Sequence, residues 1–197
     1  KFLPKNPNLW EEQGLRHLKI LIETSPMLPL AEDLGLIPRF ITRTLRNYGI
    51  CGTRVVRWEK KWWRMLYRDV NEYNPINITT VSTHDSETLQ QWWKKRKKEA
   101  KAYARFKGWK YHPKLSREHH LEMLTDSHRS STIFHINLLG EYLALFPELV
   151  WENPNDERIN EPGTMLPTNW TYRFRPYLEE LMAHEGLAET IKKMVRK

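Results

Sequence analysis

Apolar residues at positions 10, 15, 18, 21 and 22 recur at helical spacing, which predicts an amphipathic helix over Trp10–Glu23. After Pro26, Met27-Leu28-Pro29-Leu30-Ala31 is a short apolar run of buried-strand type that ends on Glu32-Asp33. Pro38 suits the first turn of the next helix, which carries Phe40, Ile41, Leu45 and Tyr48 on one face and stops at Gly49. The alternation then repeats. Thr53–Trp58 reads as a strand, a polar and aromatic stretch runs to Tyr73, and Ile76–Ser82, rich in β-branched residues, is the clearest strand. A helix is predicted from about Glu87, and another over Ser116–Ser127 with Ser116 as its N-cap. Thr132–Asn137 reads as a strand and Leu138–Leu145 as a short helix. The last helix, Tyr177–Val195, has acids at its start and Lys192, Lys193, Arg196 and Lys197 at its end, as the helix dipole favours.

Strands alternating with helices predict a parallel α/β sheet. The strand ends fall near residues 32, 58, 84 and 137, so the first two steps are 26 residues and the third is 53. A (β/α)8 barrel averages roughly 31 residues per unit. Four strands are half a barrel, with room for extra helices in the long third step. An open doubly wound sheet is the alternative, but neither GxGxxG nor GxxxxGK[ST] occurs. No internal repeat or Gly/Ser linker divides the chain.

Composition narrows the class. Hydrophobic residues make up 40% and charged residues 28%, which excludes a disordered chain. No apolar run approaches the ~18 residues of a membrane span, and no apolar signal region opens the chain. One cysteine, Cys51, cannot form an internal disulfide and fits a reducing, cytoplasmic setting. The net charge of +8 gathers in part between Lys94 and Lys107, a stretch with one acid, Glu99, and reads as a solvated helix face. Nine Trp, eight Tyr and six Phe suit sugar stacking or base stacking as well as a core. Lys1 in place of an initiator Met suggests a fragment.

In a parallel barrel, reactive side chains sit at the C-terminal strand ends. Here those ends present Glu32-Asp33, Arg57–Glu59 and His84-Asp85. Carboxyl groups with a His and an Arg between them suit glycosidic chemistry. One acid protonates a leaving oxygen while others stabilise an oxocarbenium-like transition state. Spacing alone leaves helix caps as the plainer reading.

The wording of three segments goes further. Ala31-Glu32-Asp33-Leu34-Gly35-Leu36-Ile37-Pro38 resembles the acid/base motif of the amylomaltases, the 4-α-glucanotransferases of the α-amylase clan. Val81-Ser82-Thr83-His84-Asp85, followed by Thr88-Leu89 and Trp92-Trp93, resembles their second catalytic motif. Arg158-Ile159-Asn160-Glu161-Pro162-Gly163-Thr164, with Asn169-Trp170 and Arg173, resembles the closing motif after the eighth strand. The three matches stand in family order over roughly residues 20 to 180.

The resemblance implies strands five to eight of a (β/α)8 barrel, with extra helices between strands seven and eight and residues 1–197 forming the C-terminal part of one catalytic barrel. It implies Glu32 as general acid/base and Asp85 as the transition-state stabilising carboxylate. It implies His84 as a hydrogen-bonding partner of the sugar, and Arg158 and Asn160 in a loop lining the donor side. Asp33 reads as a structural cap of the helix that follows. The family's nucleophile is an Asp in an Arg-x-Asp-His type motif upstream of the acid/base, and no such motif occurs here. The first half of the barrel is therefore expected to be absent and this chain alone to be inactive, with exposed sheet edges that invite self-association. In the intact enzyme a retaining double displacement on α-1,4-glucan oligosaccharides follows, and Glu32 has to be protonated near neutral pH.

Rival readings are a retaining hydrolase of the same clan and a nucleic-acid binder using the Lys94–Lys110 stretch with Trp92, Trp93, Tyr103, Trp109 and Tyr111. The second leaves the three motifs unexplained, so no nucleic-acid or membrane partner is expected. His17, His112, His119, His120, His128 and His135 follow no metal-ligand spacing, so no metal and no cofactor is expected. Trp92 and Trp93 are expected in the core, Arg68-Asp69 on the surface, and Ser130-Ser131 in no nucleophile constellation.

Overall fold

A computed structural model describes residues 5–61 and 66–195. Trp62–Met65 of the stretch before Tyr73, and Arg196 and Lys197 at the end of the last helix, lie outside the described residues.

Helix α1 (Pro7–Thr24) begins three residues before the apolar pattern, because Asn6 caps it through Asn8 N–H and Pro7 sits in its first turn. It packs on α2 (Arg39–Asn47) through Trp10 against Phe40, while Glu11 accepts from the Thr44 hydroxyl at 3.1 Å. Gly49, in the left-handed region at φ 67°, ends α2 as expected.

The remaining strands are β1 (Gly52–Val55), the short antiparallel ribbon β2 (Lys60–Lys61) and β3 (Leu66–Tyr67), β4 (Asn77–Thr80) and β5 (Phe134–His135). β1, β4 and β5 form a parallel sheet in that order, with Gly52 opposite Asn77 and Ile78 opposite Phe134. The expected strand Met27–Ala31 contributes one parallel bridge, Leu30 to Cys51. Pro29 has no N–H to give a ladder there. The parallel segments thus lie side by side in chain order.

Asp33 is structural, but it does not cap α2. Its Oδ1 accepts from Thr53 N–H at 2.7 Å, and both oxygens take the Arg54 guanidinium at 3.0 Å, which fastens the first extended segment to β1. Gly52 makes room for this clamp: a Cβ there would stand 2.6 Å from Asp33 Oδ1.

The single helix expected from Glu87 is two, α3 (Leu89–Lys95) and α4 (Lys97–Lys107), broken at Arg96. Leu89, Trp92, Trp93, Ala100 and Tyr103 are buried, and their phase would carry position 96 inward. An arginine there costs too much to bury, so the chain steps out and Arg96 Nε donates to Glu87 at 3.2 Å. α5 (Arg117–His128) starts at Ser116, whose hydroxyl accepts from His119 N–H. α6 (Leu139–Leu143) follows β5. The last helix also divides, into α7 (Leu178–Ala183) and α8 (Glu185–Val195). His184 Nδ1 accepts from Leu187 N–H and so caps α8.

The core lies where α3, α4, α5 and α8 meet the sheet. Trp92 and Trp93 are 1% exposed, as expected, among Tyr103, Leu115, Met123 and Leu124. Each indole removes roughly 200 Å² from water, about 5 kcal/mol of transfer free energy. Their N–H groups are satisfied by Glu99 and by the His112 carbonyl. No helix among the described residues is long and apolar enough to cross a membrane.

Candidate active site

The loop Thr83–Thr88 leaves β4 and carries His84 and Asp85. It closes on itself: Thr83 N–H donates to the Ser86 hydroxyl at 2.9 Å, and Ser86 N–H donates to Thr83 O at 3.1 Å. Thr88 and Gln91 then form a capping box that starts α3.

The closing segment docks onto this loop. Asn160 Nδ2 donates to Asp85 Oδ1 at 2.7 Å, and Asn160 N–H donates to His84 O at 3.2 Å. Arg158 spans the same junction, with Nε donating to Asn160 O at 2.9 Å and Nη2 to Asp85 O at 3.4 Å. His84 Nε2 lies 3.6 Å from Asp85 Oδ1, and its ring faces Trp170 at 5.3 Å. Asp85 and His84 remain about two-fifths exposed, so the cluster is braced yet open to a ligand. Four of the five expected site residues, His84, Asp85, Arg158 and Asn160, therefore meet in one place.

Glu32 stands apart from them. It follows the Leu30–Cys51 bridge on the side of the sheet towards which β4 also runs to reach Asp85. Its side chain is exposed, and it has no hydrogen bond or ion pair to the His84–Asp85 cluster. Beside Arg158 a cavity of about 570 Å³ is lined by Trp151, Asn155, Asn169 and Tyr172. Trp151 and Tyr172 also border a second cavity of about 700 Å³, with Leu139, Glu157 and Phe174. Both volumes lie in the range of small-molecule sites, and aromatic faces beside hydrogen-bonding groups suit sugar rings.

Trp170 has a place in the closing motif, but its backbone is a surprise. It is the one described non-glycine residue at positive φ, 62°, with its N–H donated to Ile159 O at 2.9 Å. Such strain, of order 1–3 kcal/mol, collects at functional sites. At the second strand end, burial pushes the Glu59 carboxyl up against the pull of Arg54 and Arg68.

A family model described as 4-alpha-glucanotransferase matches residues 4–179. The chain belongs to that family. It is 45% identical to the 4-alpha-glucanotransferase of Chlamydia pneumoniae over 99% of its own length and 37% of that protein's. It is 46% identical to the one of Chlamydia muridarum (strain MoPn / Nigg) over 95% and 36%. It thus spans a little over a third of the length of these curated relatives. Among solved structures, the amylomaltase from Streptococcus agalactiae in complex with acarbose superposes with a TM-score of 0.59 at 22% identity, over 84% of this chain and 30% of that one. The mixed α/β fold is thus of amylomaltase type.

The other expectations divide. Ser130 donates to Ser127 O and Ser131 to Tyr73 O, so neither meets a base. No group of three or more potential metal ligands occurs among the described residues. Lys94–Lys98 are exposed; of the aromatic residues in the nucleic-acid reading, Trp92, Trp93 and Tyr103 are buried, while Trp109 and Tyr111 are only partly so. Arg57, expected at a strand end of the site, is fully buried and bonds the loop from behind, while His120 and Glu141, also buried, were not foreseen as part of the site's support. No local signal could have paired them, since their partners lie 21 to 59 residues away in sequence.

Proposed function

We propose that this chain is the part of a 4-α-glucanotransferase barrel running from strand five to strand eight, and that the protein transfers α-1,4-glucan segments between oligosaccharides such as maltodextrins in the cytoplasm. The side-by-side parallel order Leu30, β1, β4, β5 supports the barrel reading. The observation that carries the function is the 2.7 Å bond from Asn160 to Asp85, 75 residues apart in sequence, which joins two motifs into one open polar cluster around a carboxylate.

In this reading Glu32 gives its proton to the leaving glucan and later takes one from the acceptor hydroxyl. An Asp nucleophile on a strand outside these 197 residues forms the glycosyl intermediate. Asp85, held by Asn160, faces the positive charge that develops at the anomeric carbon, and His84 donates to a sugar hydroxyl. Trp170 and the aromatic cavity walls give the glucan faces to rest on.

The test is maltotriose disproportionation by the full-length protein, followed beside free glucose release. Wild-type protein should yield longer maltodextrins well in excess of hydrolysis. Asp85→Asn and Glu32→Gln should each lower kcat by at least about 1,000-fold with the fold unchanged. Wild-type rates in either variant would remove that residue from its role, and glucose as the dominant product would favour the hydrolase reading.

A further inference from the structure

The loop that bears His84 and Asp85 is gripped at both stems by one carboxylate. Glu141, on α6 and 2% exposed, accepts through Oε1 from the Ser82 hydroxyl at 2.5 Å and from Leu89 N–H at 3.0 Å. Ser82 immediately precedes Thr83 and Leu89 immediately follows Thr88, so a single oxygen closes the neck of the loop. The other oxygen, Oε2, lies 3.2 Å from Nε2 of His120, which has no exposed surface. That approach falls short of hydrogen-bond geometry, although the two groups are buried side by side. Burial alone would push the Glu141 carboxyl up, but His120, Ser82 and Leu89 N–H together hold it below its ordinary value. A buried arginine grips the same loop: Arg57 Nη2 donates to Glu87 O at 2.7 Å, its guanidinium lying by Trp58 and Trp92.

Burying charge is costly, and apolar side chains of equal volume would usually hold a fold as well or better. A buried carboxylate at both stems, a buried histidine behind it and a buried arginine on Glu87, all around one six-residue loop, point to a demand other than stability. We propose that Glu141, backed by His120, is a positioning residue for the transfer reaction. It fixes the separation of Ser82 and Leu89, and with it the place of Asp85 relative to Asn160 and the bound sugar. The proposal rests on the reading of Asp85 as the stabilising carboxylate. A shift of about 1 Å in such a group is enough to cost roughly 100-fold in rate.

The experiment uses the full-length protein and maltotriose, with kcat expressed per folded molecule and loop order read by amide hydrogen exchange. Glu141→Leu should lower kcat by about 10- to 100-fold, leave KM within about twofold, and speed exchange in residues 83–88. Glu141→Gln keeps a carbonyl oxygen for both donors and should retain kcat within about threefold. Ser82→Ala, which leaves the buried pair in place, guards against misfolding of the leucine variant and should lower kcat several-fold. Wild-type kcat in Ser82→Ala together with Glu141→Leu, whatever their melting temperatures, would overturn the proposal, as would a glutamine variant as slow as the leucine one. Asp85→Asn separates the two readings. If it keeps wild-type activity, the assignment of Asp85 fails by itself. If it abolishes transfer while the Glu141 and Ser82 variants do not change kcat, only the positioning role fails.

Discussion

Among the described residues, Asn160 is the one side chain that donates to the Asp85 carboxylate from across the loop junction, and its amide cannot ionise. Replacing it by Asp would set a second carboxylate 2.7 Å from Asp85 and remove the donor. Like charges that close resist joint ionisation. Asn160→Asp should therefore lower kcat by about 100-fold with little change in melting temperature, as steady-state kinetics and a thermal melt would show. Trp170 gives a two-sided expectation, because its positive φ is costly for tryptophan and free for glycine. Trp170→Gly should keep or raise the melting temperature while KM for maltodextrins rises about tenfold. An unchanged KM would take the ring out of the substrate's path. A third residue sets a response to acid. Burial and the neighbouring His135 lower the His128 imidazole from 6.5 to about 4, and Tyr142 OH lies 2.9 Å from its Nε2. Below pH 6.5 the unfolded chain binds a proton that the folded chain refuses until about pH 4. Stability is thus complete above 6.5 and falls through that window. Melting temperatures taken from pH 7.5 to 4.5 should drop in wild type and drop less in His128→Gln. His84, Asp85, Arg158 and Asn160 were legible because contiguous motifs carry them. Glu141 and His120 were not, nor was the burial of Arg57 against Glu87, because only tertiary packing decides whether a buried polar group meets a partner.

Among the elements, the helices were legible where a cap and an apolar face agreed. Ser116 and Gly49 mark real ends, and of the α2 face Leu45 is buried and Phe40 and Ile41 partly so, while Tyr48, just past the last turn, is exposed. Helix breaks were hidden, because propensity does not change at Arg96 or His184. Burial phase disfavours helix at the first, and a side-chain cap starts a new one at the second. Strand centres were legible from β-branched residues, but strand ends were not, since pairing stops where a neighbour stops. Gly108 offers a local test. It ends α4 at φ 72°, with nothing near its missing Cβ, so an added methyl meets backbone strain and no clash. Gly108→Ala should cost about 1 kcal/mol, read as a lower midpoint in urea unfolding at unchanged slope.

For the molecule as a whole, the sheet margins decide behaviour in solution. On one flank Leu28 and Leu30 are about half exposed, and on the other Ile133 and Ile136 are more than half exposed beside β5. Apolar margins with unpaired backbone favour pairing with a second copy. The 197-residue chain should therefore elute larger than one copy in chromatography with light scattering, and lose that mass in mild detergent. A monomer at all concentrations would reject this. The seam on the Leu30 flank also contains the chain's one thiol. Cys51 has no exposed surface, and its carbonyl takes Ala31 N–H at 2.8 Å, so no reagent reaches the sulfur until that seam parts. Modification by a thiol reagent would then run at the speed of the opening, independent of reagent concentration once trapping is fast. The cysteine is a stopwatch already installed at the margin, and it needs no engineered label to time how often the segment bearing Glu32 lets go.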